Sequence, residues 1–252
     1  MSKLTIAAAQ SISVAGDLAA NIKRHLRFIQ EAAEQGVELL VFPELSLTGY
    51  EGEAAAKQAI DPEDAVLQPL RDLARELGVT TVVGMPVRLK ENSGTFIGAL
   101  ILHKDGSLSV YSKQHLHTGE ELVFAAGYGG SLLNIGSDAV ALAVCADFTH
   151  ASHAAAAAQL GADLYAAGVL ISEKGYATDT NLLQAYAREH SMAVLMANHG
   201  GVTGGWVSAG RSAVWSSEGT LVMAADGPGN LLVIARRDGK QWRGQVIEVA
   251  QI

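Results

Sequence analysis

The sequence predicts an α/β fold in which helices cover the outer faces of packed β-sheets. Three observations support this prediction. Apolar runs of strand length alternate with segments of helical periodicity, the alternation occurs in both halves of the chain, and no low-complexity linker separates the halves. The 252 residues are 49% hydrophobic, so the chain is long enough to bury a large core. We therefore expect a single domain that spans residues 1–252.

The first half of the chain opens as strand, helix, strand, helix. Apolar side chains between residues 17 and 35 recur every three or four positions, which indicates an amphipathic helix, and Gly78 ends a second segment of this kind. The β-branched runs that follow are separated by turn residues, which is typical of hairpins. The predicted elements are a strand Leu4–Ala9, a helix Asp17–Gln35, a strand Val37–Phe42, a helix Asp61–Leu77, and hairpin strands Val79–Val83, Thr95–Leu102 and Leu108–Tyr111.

The second half repeats the alternation of strands and helices. Five consecutive alanines, residues 154–158, belong to one predicted helix, since alanine is the strongest helix former. From Arg211 onward the chain returns to short strands separated by turns. The predicted elements of this half are strands Ser131–Ile135 and Ala139–Val144, a helix Ala151–Leu160, a strand Asp163–Ala166, a helix Asp179–His190 and a strand Ala193–Ala197.

Composition and charge narrow the classes of partner. Charged residues make up 17% of the chain, below the roughly 25% of an average protein, so we expect a homodimer or larger homo-oligomer that covers part of the surface. The net charge is −8 and basic residues do not cluster, which excludes nucleic acids and anionic membrane surfaces as partners. No uncharged apolar run approaches the length of a membrane span.

The cysteine and histidine content bears on compartment and cofactors. Cys145 is the only cysteine and the apolar start of the chain is too short for a signal peptide, so we expect a cytoplasmic protein. His150 and His153 are three residues apart but lack a third ligand, so we predict no metal and no cofactor. The glycine-rich segment 198–206 lacks the order of a phosphate-binding loop; we predict a flexible loop that places Trp206 at a pocket edge.

Three reactive side chains each follow an apolar strand. Cys145 ends the run 139–145, just before a helix whose amides are expected to lower the pKa of a thiol. Glu44 follows Pro43 at the end of another strand, where apolar surroundings raise the pKa of a carboxyl group and suit it to proton transfer. Lys113 follows a third strand, and its ammonium would stabilise a thiolate or an oxyanion. Taken one at a time, each residue has an ordinary structural explanation: a buried cysteine, a loop carboxylate or a solvated lysine. The three residues together indicate a catalytic site more specifically than any one of them does.

In these segments the chain resembles the carbon-nitrogen hydrolase (nitrilase) superfamily. The resemblance extends over essentially the whole chain, including Asn198 and residues 210–219. It implies a four-layer αββα sandwich, with two mixed sheets flanked by helices, and acyl transfer through a thioester without a cofactor. The matching motifs are Val41-Phe-Pro-Glu-Leu-Ser-Leu-Thr-Gly-Tyr50, Tyr111-Ser-Lys-Gln-His-Leu116, and Ala143-Val-Cys-Ala-Asp147 followed by Gly161-Ala-Asp163.

The resemblance also implies a role for each motif residue. Cys145 corresponds to the nucleophile, Glu44 to the general base, and Lys113 to the cation that stabilises the tetrahedral intermediate. The backbone amide of Ala146 would complete the oxyanion hole.

The resemblance further implies a second glutamate that orients the lysine or the substrate. Glu120, seven residues after Lys113, is the candidate for this role. Glu121 is its neighbour and remains an alternative.

The segment after the cysteine departs from the family pattern Tyr-Asp-X-Arg-Phe-Pro-Glu. This chain has Ala146 in place of the aromatic residue, which predicts a wider pocket, and Thr149 in place of the arginine. In some amidases of the family that arginine holds a substrate carboxylate, so an amide that bears a carboxylate is disfavoured here. We predict that Thr149, His150 and Trp206 contact the substrate.

The sequence therefore predicts an amidase that acts on a small-molecule amide-type substrate. An N-carbamoyl hydrolase, a nitrilase and an acyltransferase are alternatives that use the same thioester. A catalytically silent ligand-binding protein or a redox-sensing thiol protein is the alternative from another class. All three motif residues are present, which favours an active enzyme.

Overall fold

Two large mixed β-sheets form the centre of the computed structural model, which describes residues 3–89 and 94–250. In spatial order, the strands of the first sheet are β15 (Gln241–Glu248), β14 (Leu231–Asp238), β1 (Leu4–Gln10), β2 (Leu39–Val41), β3 (Thr80–Arg88), β4 (Thr95–Leu102) and β5 (Leu108–Ser112). Those of the second sheet are β13 (Leu221–Ala224), β12 (Ala213–Trp215), β9 (Ala193–Asn198), β8 (Leu164–Val169), β7 (Asp138–Val144) and β6 (Leu133–Ile135).

Each sheet has three parallel strands at its centre and antiparallel strands outside them. In the first sheet β1, β2 and β3 are parallel, and in the second β7, β8 and β9 are parallel. The predicted hairpins are confirmed, because β3, β4 and β5 pair antiparallel in sequence order. Glu44 follows β2 of the first sheet and Cys145 follows β7 of the second, so each lies at the edge of its sheet where the central parallel strands end.

Helices cover the outer face of each sheet. The helices are α1 (Leu18–Glu34), α2 (Glu53–Lys57), α3 (Gln68–Leu77), α4 (Ala151–Gln159) and α5 (Tyr176–His190). One apolar cluster lies between the two sheets, a second between the first sheet and helices α1 and α3, and a third between the second sheet and helices α4 and α5. The four-layer αββα sandwich is therefore confirmed.

One predicted helix is shorter than the sequence pattern indicates. The pattern predicts a helix over residues 61–77, but α3 begins at Gln68 and a single 3-10 turn precedes it. The carboxylates of Asp61 and Asp64 accept hydrogen bonds from backbone N–H groups two residues later, which favours turns over helix. Pro69 lies in the first turn of α3, where its missing N–H costs least.

Other elements near the site also differ from the prediction. Helix α5 begins at Tyr176, three residues before its predicted start, and the short helix α2 was not predicted. The glycine-rich segment forms a hairpin, β10 (Val202–Thr203) and β11 (Trp206–Val207), instead of a loop. Its two turn residues, Gly204 and Gly205, both have positive φ angles, as a tight hairpin turn requires. Within the described ranges, no helix combines the length and the hydropathy that crossing a membrane requires.

Candidate active site

Glu44 lies in the turn after β2, between the two sheets. A Cβ atom at Gly84 of β3 would come within 2.3 Å of Leu45 N, and one at Gly168 of β8 would come within 2.6 Å of Phe42 O. Both sheets therefore touch the backbone of this turn, and glycine is required on each side. Leu45 has a φ angle of 51°, a conformation that residues with a side chain rarely adopt. The Glu44 side chain is consequently fixed in position and is almost fully buried.

Two buried histidines support the Glu44 turn. His199 donates a hydrogen bond from Nε2 to the carbonyl oxygen of Glu44 at 2.7 Å. His25 donates from Nδ1 to Asn21 O at 2.7 Å, so its Nε2 accepts from the Ser46 hydroxyl at 2.9 Å. Burial lowers the pKa of His25 to about 3 and that of His199 to about 4. Both rings are therefore neutral at pH 7 and act as fixed hydrogen-bonding groups.

Lys113 connects two glutamates in the interior. Its Nζ donates to Glu44 Oε1 at 2.6 Å and to Glu120 Oε1 at 2.7 Å, and the lysine is 0% exposed. Tyr50 donates its hydroxyl to the same oxygen of Glu120 at 2.7 Å. Glu121 is exposed and lies outside this cluster. The structure therefore brings Glu44, Lys113 and Glu120 together and separates Glu121 from them.

Cys145 lies at the point where β7 ends and a 3-10 helix, Cys145–Thr149, begins. Its φ angle is 44°, so the nucleophile candidate is in the left-handed region, as strained residues at active sites often are. The thiol points to the carbonyl oxygen of Leu170, with 3.8 Å between Sγ and O. Ala146 is the second residue of the helix, where a backbone N–H has no acceptor within the helix. That N–H is available to an oxyanion.

Burial and neighbouring charges shift the pKa values of Lys113 and Glu44. Burial lowers the pKa of Lys113, but Glu44, Cys145 and Glu120 together raise it above its ordinary value, so the lysine is a cation. Burial raises the pKa of Glu44 to about 7, against the opposing effect of Lys113.

The pKa of the Cys145 thiol differs from the value that the sequence predicts. The sequence predicts a lowered thiol pKa, whereas burial, followed by the charge of Glu44, raises it well above its ordinary value. The physical reason is that the helix after Cys145 is only a short 3-10 turn, too weak to offset desolvation next to a carboxylate. The thiol is therefore protonated at rest and requires a base when it attacks.

Asp147 joins the cysteine turn to the segment that follows the lysine. One oxygen of its buried carboxylate accepts from Val144 N at 3.0 Å, and the other accepts from His115 N at 2.8 Å. The sequence motif contains Asp147, but pattern alone assigns it no role. Its contacts identify it as a positioning residue that fixes Cys145 relative to Lys113.

A cavity of about 220 Å³ opens at Cys145. Of the predicted substrate contacts, Thr149 and Trp206 line it, as does Ala146. His150 lies outside the lining, since its ring stacks on that of His115 at 3.9 Å and its Nδ1 is 3.0 Å from the carbonyl oxygen of Ala146.

Tyr50 and Asp179 are among the cavity residues that sequence reasoning missed. Tyr50 lines the cavity and was visible only as the last residue of the first motif. Asp179 also lines it, and no pattern could find it, because its position depends on how α5 packs. In the part of the chain that the structure describes, no three His, Cys, Asp or Glu side chains are arranged to hold a metal ion.

The curated proteins that this chain resembles include an amidase and a nitrilase. An (R)-stereoselective amidase from Pseudomonas sp. is 30% identical over 226 residues, which cover 88% of this chain and 77% of the amidase. A nitrilase from Pyrococcus abyssi is 32% identical over 152 residues, which cover 58% of this chain and 57% of the nitrilase. The alignment therefore spans little more than half the length of that nitrilase.

Solved structures and a family model complete the comparison. A mutant of the amidase from Nesterenkonia sp. AN1 superposes with a TM-score of 0.84 at 28% identity, covering 93% of this chain and 90% of the amidase. In that structure the active-site cysteine has the acetamide moiety of fluoroacetamide covalently attached. The family model for carbon-nitrogen hydrolases matches residues 5–244. By this match over nearly its whole length, the chain belongs to the carbon-nitrogen hydrolase (nitrilase) superfamily.

Proposed function

We propose that the protein is a cysteine-dependent amidase that hydrolyses small carboxamides through a thioester on Cys145. The observation that supports this proposal best is the buried Lys113, held between Glu44 and Glu120 beside the only thiol of the chain. A buried lysine between two carboxylates is costly to fold, and strongly shifted pKa values at the end of a cavity are typical of catalytic sites.

In the acylation step, Cys145 Sγ attacks the carbonyl carbon of the amide and its proton passes to the Glu44 carboxylate. Glu44 Oε2 is suited to receive it, because this buried oxygen forms no hydrogen bond with any described group. The oxyanion that develops accepts hydrogen bonds from Lys113 Nζ and from the backbone N–H of Ala146. When the intermediate collapses, the C–N bond breaks and ammonia leaves with the proton held by Glu44.

In the deacylation step, water attacks the thioester carbon and gives a proton to Glu44. The same two donors stabilise the second oxyanion. The C–S bond then breaks, the carboxylic acid leaves, and the sulfur recovers a proton from Glu44. A glutamate with a pKa near 7 suits this double role, because it can accept and release a proton at neutral pH.

Glu120 is proposed to act on the reaction through Lys113. Its carboxylate holds the ammonium at 2.7 Å and so keeps Nζ in place when Glu44 becomes protonated and loses its charge. Tyr50 in turn fixes Glu120.

The size of the cavity supports a small substrate. About 220 Å³ is below the range of roughly 300–1,000 Å³ usual for drug-sized ligands. The amidase from Nesterenkonia sp. AN1 has been crystallised with butyramide, an amide of matching size. The nitrilase relative makes nitrile hydrolysis the second candidate. The same thiol would add to a nitrile to give a thioimidate, and addition of water with loss of ammonia would convert this to the thioester.

Ammonia release from short aliphatic amides, N-carbamoyl compounds and nitriles tests this proposal, with wild type and Cys145→Ala compared. We expect release from the amides by wild type and none by Cys145→Ala. Fluoroacetamide forms a covalent adduct on a mutant of the Nesterenkonia sp. AN1 amidase. In Glu44→Gln, which lacks the base but keeps the thiol, we expect Cys145 to displace fluoride and gain one acetamide group, detected by intact mass, and we expect no addition to the double variant Glu44→Gln, Cys145→Ala. Turnover retained by Cys145→Ala would refute the mechanism, and release from nitriles alone would replace the amidase with a nitrilase.

A further inference from the structure

Asp179 is the only carboxylate among the described residues that line the cavity at Cys145. It lies in the first turn of α5, where the helix dipole favours negative charge. The other lining side chains are neutral or aromatic, apart from His117, and no lysine or arginine is among them. The wall of this cavity therefore has one fixed site for negative charge, outside the cluster of Glu44, Lys113 and Glu120.

The Asp179 carboxylate has no partner within the described part of the chain. Its backbone N–H bonds to Gly175 O, but no described side chain donates to its oxygens. Arg211, which contacts the first residue of α5, pairs with Glu173 at 2.6 Å and lies over the Tyr176 ring at 4.0 Å. Burial raises the pKa of Asp179, and no neighbouring cation opposes that effect. Partial burial without a partner is a costly state for a carboxylate, and a bound cation would relieve it.

Aromatic side chains line the same cavity. Trp206 and Tyr50 both contribute to the lining, and aromatic faces attract cations. The hairpin that bears Trp206 is fixed to the Tyr50 segment, because Tyr50 N donates to Thr203 Oγ1 at 2.8 Å and Gly204 N donates to Glu51 at 2.9 Å. The aromatic groups are therefore held in place beside the reacting thiol.

We propose that Asp179 is a specificity-determining residue that binds a positively charged group, such as an ammonium, on the acyl part of the amide substrate. The substrate class is then a small amide of an amino acid, in which the ammonium and the carboxamide are separated by a short carbon chain. This inference rests on the proposed amidase function. It agrees with Thr149, which provides no positive charge for a substrate carboxylate.

Three amides of nearly equal size test the charge preference. Valeramide is neutral, γ-aminobutyramide replaces its terminal methyl group by an ammonium, and succinamate has a carboxylate instead. We expect wild type to have its highest kcat/KM for γ-aminobutyramide and its lowest for succinamate. Asp179→Asn should lower the ratio of kcat/KM for γ-aminobutyramide over valeramide by about 10- to 100-fold, since a hydrogen bond to a charged group is lost.

Two further variants serve as controls. Asp179→Glu keeps the negative charge, so its ratio of kcat/KM for γ-aminobutyramide over valeramide should stay close to that of wild type. Glu189→Gln removes one exposed charge from the same helix, away from the cavity, and should leave the ratio as in wild type. The proposal is wrong if Asp179→Asn and wild type give the same ratio, or if Glu189→Gln lowers it as much as Asp179→Asn does.

A second measurement separates this inference from the proposed function, because it needs no turnover. Cys145 is the only cysteine, so its labelling by methanethiosulfonates is unambiguous. Aminoethyl methanethiosulfonate is cationic and methyl methanethiosulfonate is neutral. In Asp179→Asn we expect the rate ratio of cationic over neutral labelling to fall several-fold. If no amide is hydrolysed but this ratio falls, the amidase function fails and the cation site stands; an unchanged ratio refutes the cation site even if amides are hydrolysed.

Discussion

The candidate site has two regions that are built in different ways. We call the buried cluster of Glu44, Lys113 and Glu120 the base of the site, and the residues that line the cavity its wall. At the base, Glu44, Lys113 and Glu120 are at most 5% exposed and are held by ionic hydrogen bonds between the two sheets. In the wall, Trp206 is 46% exposed and belongs to a two-residue strand, and Asp179 lies at one end of a helix. The base is thus fixed by the core of the fold, whereas the wall can change without disturbing it. Substitutions in the two regions should therefore differ in their effects on stability and on kcat.

The largest effect is expected from Lys113→Met, which removes the cation at the centre of the base. Two buried carboxylates would lose their shared partner, and breaking such a pair costs about 3–5 kcal/mol in the free energy of unfolding. The oxyanion would also lose a donor, so we expect kcat/KM to fall about 1,000-fold or more. Urea unfolding and ammonia release measure the two effects.

Lys104→Met is the matched control, because Lys104 is an exposed lysine in a turn of the same sheet. It should change the free energy of unfolding by less than about 0.5 kcal/mol. If Lys113→Met changed the free energy of unfolding as little as Lys104→Met does, the base would not be fixed by the core.

The next largest effect is expected from Gly168→Ala, a change in the sheet rather than in a reactive side chain. The added methyl group would come 2.6 Å from Phe42 O, so the turn that bears Glu44 must move. Overpacking of this kind costs about 1–3 kcal/mol, and a shift of the base by a fraction of an ångström should lower kcat by about 10- to 100-fold. Gly227→Ala is the control, since nothing lies within 4 Å of its added Cβ. Equal kcat values in the two variants would contradict the role of Gly168.

The sequence pattern predicts three of the central residues of the site, whereas Glu120 comes only from the family resemblance. Glu44, Lys113 and Cys145 each follow an apolar strand, and strand ends are visible as the point where an apolar run stops. Pairing of the strands then determines where these ends lie. The structure brings Glu44 and Lys113 into direct contact, although 69 residues separate them.

The parts that could not be predicted depend on tertiary packing. Asp179 lies in the first turn of α5 and lines the cavity, a position that depends on how the helix packs and that no local pattern describes. The raised pKa of Cys145 results from desolvation, which a one-dimensional pattern does not describe. Asp147 bridges two segments about 30 residues apart, and its motif gives no indication of this contact.

The pH dependence of kcat/KM tests the coupling within the base. Glu44 must be ionised to accept a proton, so kcat/KM should rise as the pH increases through its pKa of about 7. The charge of Glu120 raises that pKa, so in Glu120→Gln the rise should occur at lower pH than in wild type. Loss of one ionic hydrogen bond to Lys113 should also lower the value that kcat/KM reaches at high pH by roughly 10-fold. A rise at unchanged or higher pH would show that Glu120 does not act on Glu44 through its charge.

The smallest effect is expected from Trp206→Ala, a change confined to the wall. The side chain is nearly half exposed and its hairpin is attached to the Tyr50 segment by hydrogen bonds that do not involve Trp206, so the free energy of unfolding should change by less than about 0.5 kcal/mol. Trp206 lines the cavity and, in the proposed function, would contact the substrate in the ground state and the transition state alike; loss of such uniform binding raises KM more than it lowers kcat. We expect KM to increase about 3- to 10-fold for a small amide. If kcat instead fell as far as in Gly168→Ala, the wall and the base would form one rigid unit, and substrate preference could not change independently of the reaction.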